Sequence, residues 1–138
     1  MKKIAILFLT LLFTNLFYAQ SNINEAKNLI IGNWILSTTT SIYEGKNGIS
    51  EIAIGTCSYC EKINFKNDFT VEVNTSKDLF QNYKWKIVGD KIYFEPIDIK
   101  SKYKFFIEEY LLRFANTEST EVELVSENGK RIITLKKQ

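Results

Sequence analysis

Histidine is missing from all 138 residues, and that absence removes a large part of enzyme chemistry. Without it there is no Ser-His-Asp or Cys-His relay and no imidazole-based metal site. Cysteine is almost as scarce: Cys57 and Cys60, separated by Ser58 and Tyr59, are the only two. A structural zinc needs about four ligands, and no third cysteine or histidine exists to complete such a set. Proline occurs once, at Pro96.

A long hydrophobic run is lacking too. The apolar residues 4–17 fall short of the ~20 that a spanning helix needs, and Thr10, Thr14 and Asn15 dilute them. Preceded by Lys2 and Lys3, the stretch has the form of a secretory signal peptide. The expected division is therefore a leader over 1–20 and a single domain over 21–138, exported to the periplasm or beyond the cell. Cleavage after Ala19 places bulky Phe17 three residues back, whereas cleavage after Ser21 reads Ala19-Gln20-Ser21, nearer the small-x-small rule. No cysteine stands at this boundary to accept a lipid.

An excess of positive charge is also wanting. Lys2 and Lys3 leave with the leader, so the 18 Lys and Arg fall to 16 against 16 Asp and Glu, over 118 residues. A neutral chain without a basic stripe does not expect a nucleic-acid partner, and no membrane span remains once the leader is gone. About 120 residues make one domain with one core.

What is present is Ile, Val, Phe, Tyr, Thr and Trp in quantity, a composition that favours strands. Residues 21–29 suggest a turn or two of helix leading in. Gly32-Asn33-Trp34 follows the apolar Leu29-Ile30-Ile31 and opens a strand that alternates Trp34, Leu36 and Thr38 against Ile35, Ser37 and Thr39. Gly32 relieves the backbone of a Cβ there, and Trp34 is the apolar plug for one end of a closed sheet. Residues 44–48 are a turn cluster, and 49–55 read as a loop or short edge strand.

Strands are expected over 61–65 and 69–73, the second placing Phe69, Val71 and Val73 on one face. A hairpin is expected over 83–87 and 91–94 about Gly89-Asp90, with Pro96 ending its second strand. Residues 103–115 fit two strands or one bent strand, although their spacing also fits a helix. Residues 121–126 and 131–135 close the chain as a hairpin with a type I′ turn at Asn128-Gly129. Eight or nine short strands joined by short turns make an all-β, antiparallel, up-and-down barrel of eight strands, in which closure removes exposed edges.

The first-strand run Leu29-Ile30-Ile31-Gly32-Asn33-Trp34, together with residues 83–92 (Tyr83-Lys84-Trp85-Lys86-Ile87 and the Gly89-Asp90 turn), resembles the exported lipocalin-like domains of small bacterial proteins, barrels of the calycin type. That resemblance covers most of the mature chain. It implies an eight-stranded barrel with a cup for a small apolar ligand, and a tryptophan packed under a basic residue near the last strand. Arg131 and Lys136 are the candidates for that partner. Because the chain is shorter than the family's carriers, an interior filled by its own side chains is the competing expectation.

The pair Cys57 and Cys60 reads first as a disulfide, given an oxidising compartment. A thioredoxin-like role would place the first cysteine at a helix N-terminus, and here a strand follows. Glu121 and Glu123 would share a strand face, more in keeping with solvent than with acid-base work. The ligand-facing candidates are Leu36, Thr38, Val71, Val73, Tyr83, Trp85 and Phe94, with Gly32 and Trp34 as structural residues. The mix of apolar groups and a few hydroxyls suits a pocket and a packed core alike.

The function expected from these residues is a non-enzymatic lipocalin-like domain, without cofactor or metal, that holds a small apolar molecule inside the barrel. The alternative is a filled barrel that binds or inhibits another protein through its outer surface.

Overall fold

The computed structural model describes residues 24–45, 48, 50–56, 61–75, 80–98, 104–107, 109–115, 118 and 120–138. A short helix, α1 (residues 24–30), precedes nine strands: β1 (Gly32–Glu44), β2 (Ser50–Thr56), β3 (Lys62–Phe65), β4 (Thr70–Asn74), β5 (Phe80–Val88), β6 (Lys91–Asp98), β7 (Glu109–Phe114), β8 (Glu121–Ser126) and β9 (Arg131–Lys137). All pairings are antiparallel. β1 and β3 to β9 run in sequence order and close through β1 on β9, giving an eight-stranded barrel. β2 stands outside it.

The two ends of the barrel are built differently. At the helix end, Gly32 turns the chain from α1 into β1 with φ 129°, a conformation that L side chains rarely adopt. Ile30 and Trp34 on either side of this turn are fully buried, and the Trp34 Nε1–H donates to Ile30 O at 2.6 Å. Lys137 Nζ donates to Leu29 O at 3.3 Å, so two carbonyls left over at the end of α1 find partners. At the loop end, residues 104–107 cross the mouth between β6 and β7 and put Phe106 into the interior.

Strand alternation sets the core. Ile63, Phe65, Val71, Val73, Tyr83, Trp85, Ile92, Phe94, Tyr110, Val122, Leu124, Ile133 and Leu135 all point inward and are buried. β1 breaks the expected alternation. Leu36 pairs with Leu135 but Thr38 pairs with Thr134, so a bulge at Ser37 shifts the phase by one residue. Opposed residues share a face. Thr39 therefore lies on the inner side with the fully buried Ile133, and Thr38 lies on the outer side with Thr134.

Four other expectations need correction. Phe69 does not belong to the inward set: it precedes β4, holds φ 62° in the turn after Asp68 and is 43 % exposed. Pro96 does not end β6, which continues to Asp98. The Trp85 N–H bonds Phe69 O on the β4 side, so the Trp85–Phe94 and Tyr83–Pro96 pairs are not hydrogen-bonded pairs. The proline nitrogen thus faces the far edge of β6, where β7 pairs only with Lys91, Ile92 and Tyr93. Of residues 103–115, those described form a loop over 104–107 and one strand, Glu109–Phe114, neither a helix nor two strands.

The last hairpin turns through Ser126 to Lys130, with Gly129 N–H bonding Ser126 O at 2.7 Å. Positive φ falls on Gly129 (67°) but not on Asn128, so the turn is not type I′. The side chain of Asn128 instead accepts from the Ser126 hydroxyl at 2.8 Å and from the Lys130 N–H at 2.9 Å.

Candidate functional site

The interior is the first place where the candidate residues meet. Leu36, Val71, Val73, Tyr83, Trp85 and Phe94 come from β1, β4, β5 and β6 and all sit inside, while Thr38 faces out. Phe106 occupies the space between them. Its ring lies flat on Phe94, with centroids 4.0 Å apart and 6° between planes, and meets Tyr83 edge-on at 5.4 Å. Phe65 and Tyr110 complete its surroundings at 6.3 Å each. Such pairs each contribute roughly 0.5–1.5 kcal/mol beyond their buried area.

Polar groups at the mouth hold that plug in place. The Phe105 N–H donates to both Gln81 Oε1 and the Tyr83 hydroxyl oxygen at 2.9 Å, and the Phe106 N–H reaches the same hydroxyl at 3.3 Å. Arg131 Nη2 donates to Phe105 O at 3.1 Å, and the Ile107 N–H donates to the Tyr110 hydroxyl at 3.2 Å. Burial pushes the Tyr83 phenol above the ordinary tyrosine range, and the two backbone N–H groups at its oxygen oppose that only in part. Tyr110 is raised for the same reason. Both rings stay neutral at physiological pH. Each phenol oxygen accepts from the loop N–H groups, and the Tyr83 hydroxyl in turn donates to Gln81 Oε1 at 2.5 Å.

Sequence reasoning missed Phe106 as an interior residue because it sits on a loop, where alternation carries no signal. It also missed the basic partner of Trp34. Arg131 faces the loop end, and Lys136 pairs outward with Glu121 at 3.6 Å. The ammonium over the Trp34 ring belongs to Lys137, at 5.4 Å, which lies opposite Trp34 in the β1–β9 ladder. The inward phase of β9, set by Ile133 and Leu135, reaches Lys137 and skips Lys136.

The second place is a groove of about 560 Å³ on the outer face, between the β3–β4 turn and the β5–β6 hairpin. Asp68 builds the turn by accepting from the Thr70 N–H at 3.0 Å and the Thr70 hydroxyl at 2.6 Å. That hydroxyl, ahead of the backbone bond, lowers the Asp68 pKa. The turn lifts Phe69 out of the sheet, where its ring tilts against Trp85 at 5.4 Å under Lys27 Nζ at 4.1 Å. Trp85 is anchored by donating from Nε1 to Thr70 O at 3.0 Å. Across the groove stand Lys84, Lys86, Tyr93 and Glu95, with Lys86 Nζ 5.5 Å from the Tyr93 ring centre. Their outward parity on β5 and β6 was legible in sequence; the lifted Phe69 was not.

Cys57 and Cys60 lie outside the described residues, as does the stretch 1–20 that the sequence suggests as a leader. Among the described residues no three Asp, Glu or Cys side chains gather as a metal site, and no helix is long and apolar enough to cross a membrane. Comparison with protein-family models, with curated proteins and with solved structures finds no match. The class is therefore defined by the fold itself: a closed, eight-stranded antiparallel barrel, consistent with a calycin-like architecture.

Proposed function

We propose that this chain is an exported, non-enzymatic binding module that engages another protein through the outer groove beside Phe69. The observation that carries the reading is the filled interior: Phe106 stacked on Phe94 takes the volume that an eight-stranded barrel has for one small ligand. The groove offers two aromatic faces, Phe69 and Tyr93, and two ammonium groups, Lys84 and Lys86. That combination suits an extended segment carrying an apolar or aromatic side chain next to a carboxylate.

A selection from a random peptide library tests this. Enriched sequences are expected to pair an acidic with an aromatic residue and to shift the amide resonances of Thr70, Lys84, Lys86 and Glu95. Affinity is expected to fall by about tenfold or more in Phe69→Ala and in Lys86→Glu, since truncating an interface anchor costs ~1–2 kcal/mol or more. Peptides that bind both variants as well as wild type would reject the groove.

A second reading, a carrier of a small apolar molecule, is favoured by one observation. Phe106 comes from a loop, so its departure opens space beside Tyr83, Trp85 and Phe94 without breaking a strand ladder. Under this reading a naphthalene-type probe shifts Tyr83 and Phe94 and exposes the Phe106 amide to exchange in the wild-type protein. Uptake only by Phe106→Ala would mean that the plug is permanent.

A further inference from the structure

β2 is the one strand of the nine that the barrel does not use, and both its faces are exposed. It pairs with the distal half of β1, Thr38 to Glu44, beyond the point where β3 takes over the same edge of β1. Among the described residues no strand pairs with its other edge. Protected edges carry charge, above all lysine, or proline or a bulge; Ser50-Glu51-Ile52-Ala53-Ile54-Gly55-Thr56 has no lysine, proline or bulge, and Glu51 is its one charge. Ile52 and Ile54 are 63 % and 66 % exposed. They share a face with Ile42, opposite Ile52, and with Ile132, reached across Thr40, so an aliphatic row leads up to the free edge.

The direction of the free hydrogen bonds follows from β1. The Ile42 N–H bonds Lys130 O on the β9 side, so Thr39, Ser41 and Tyr43 are the residues that turn their polar groups to β2. Their partners Gly55, Ala53 and Glu51 are thereby satisfied. Ser50, Ile52, Ile54 and Thr56 present N–H and C=O to the vacant side.

We propose that this edge pairs with the same edge of a second copy of the chain, about a two-fold axis at Ala53. The strand is its own complement in that register. Ile52 faces Ile54 of the other copy, Ser50 faces Thr56, and every residue with free polar groups meets another, so each pair can exchange both its bonds. Two Ile–Ile pairs form on one face, continuous with Ile42 of each copy. On the other face Glu51 meets Gly55, which keeps the two carboxylates about 13 Å apart along the strands. Glycine is also the residue that position 55 accepts, since a Cβ there would come within 2.8 Å of Thr39 Oγ1. A foreign strand would have to supply this pattern by chance, whereas a second copy supplies it by symmetry. The pairing uses up the edge, so assembly stops at two.

Sedimentation of the leaderless protein over a concentration series tests the proposal. A seven-residue strand pair lies at the small end of interfaces, so wild type is expected to shift from monomer near ~1 µM to dimer near ~0.5 mM. Ile54→Pro deletes a free-edge donor without touching the β1 ladder, and Ile52→Lys charges the shared face; each is expected to stay monomeric throughout. In Ala53→Cys the paired Cα atoms stand about 4.5 Å apart, within reach of a disulfide. Mass spectrometry of the oxidised variant should therefore find a 53-to-53 linked peptide, which Glu51→Cys should not give at position 51. A wild type that remains monomeric, a dimer that survives both Ile52→Lys and Ile54→Pro, or growth beyond the dimer would each overturn the proposal.

Discussion

Trp34 ties three separate pieces of chain together. Its indole N–H closes the end of α1 on Ile30 O, its ring fills the helix end of the barrel, and Lys137 from the last strand lies over that ring. Truncation to alanine removes the ring and leaves a cavity as well as an unpaired buried carbonyl, so Trp34→Ala should cost about 3–5 kcal/mol. Lys137→Met, which keeps the stem and removes the charge, should cost no more than about 1 kcal/mol because the contact is partly solvated. Urea midpoints measured on the three proteins check both values. A tryptophan variant that unfolds with wild type would remove Trp34 from its place as the barrel's plug. That Trp34 would be buried was legible from its size and from Gly32 before it; that its cation is Lys137 required the register of β9 on β1.

At the scale of the element, the loop over 104–107 is held by phenols that must stay protonated. Burial raises the Tyr83 and Tyr110 pKa values above the ordinary ~10 that the unfolded chain would show. Below the unfolded value their contribution to stability is complete. As pH rises from there toward the folded values, the unfolded state releases protons that the folded state retains, and stability falls. Urea midpoints taken from pH 8 to pH 11 should therefore drop more steeply for wild type than for Tyr83→Phe/Tyr110→Phe, and parallel curves would remove the two phenols as the cause. The strands themselves were legible wherever one face is buried: β4, β5 and β6 follow their alternation. Local exceptions were not. The bulge at Ser37 turns Thr38 outward, the lifted Phe69 leaves the inward set, and Pro96 stays in β6 because its nitrogen faces an empty edge. The bulge and the place of Pro96 depend on how neighbouring strands pair, the lift of Phe69 on the side chain of Asp68 in its turn, and none leaves a period-two signature. Phe106 is the same problem in the candidate site, since a loop residue fills a volume that the strand pattern alone left open.

For the molecule as a whole, the closed barrel and the β1–β2 overhang are held by different means. Closure joins β1 to β9 across most of the chain, and the inward residues at that seam, Leu36, Ile133 and Leu135, are buried. The overhang has one ladder, no buried side chain on β2, and Gly55 beneath Thr39. Opening of the overhang should therefore need far less free energy than global unfolding, in the manner of other weakly packed elements. Native-state hydrogen exchange on dilute protein should resolve three tiers. Amides of Val71, Val73, Leu124 and Ile133 are expected to exchange only by global unfolding. Those of Glu51, Ala53 and Gly55, bonded to β1, should exchange through local opening with protection lower by about tenfold or more. Those of Ser50, Ile52, Ile54 and Thr56, which face the vacant edge, should exchange almost as in an unfolded chain. Raising the concentration should then slow Ser50, Ile52, Ile54 and Thr56 selectively, because pairing with a second copy covers those four donors and leaves the inner tier unchanged. Uniform protection along β2 in dilute solution would mean that its outer edge is already covered, and both the three-tier pattern and the free edge would have to be given up.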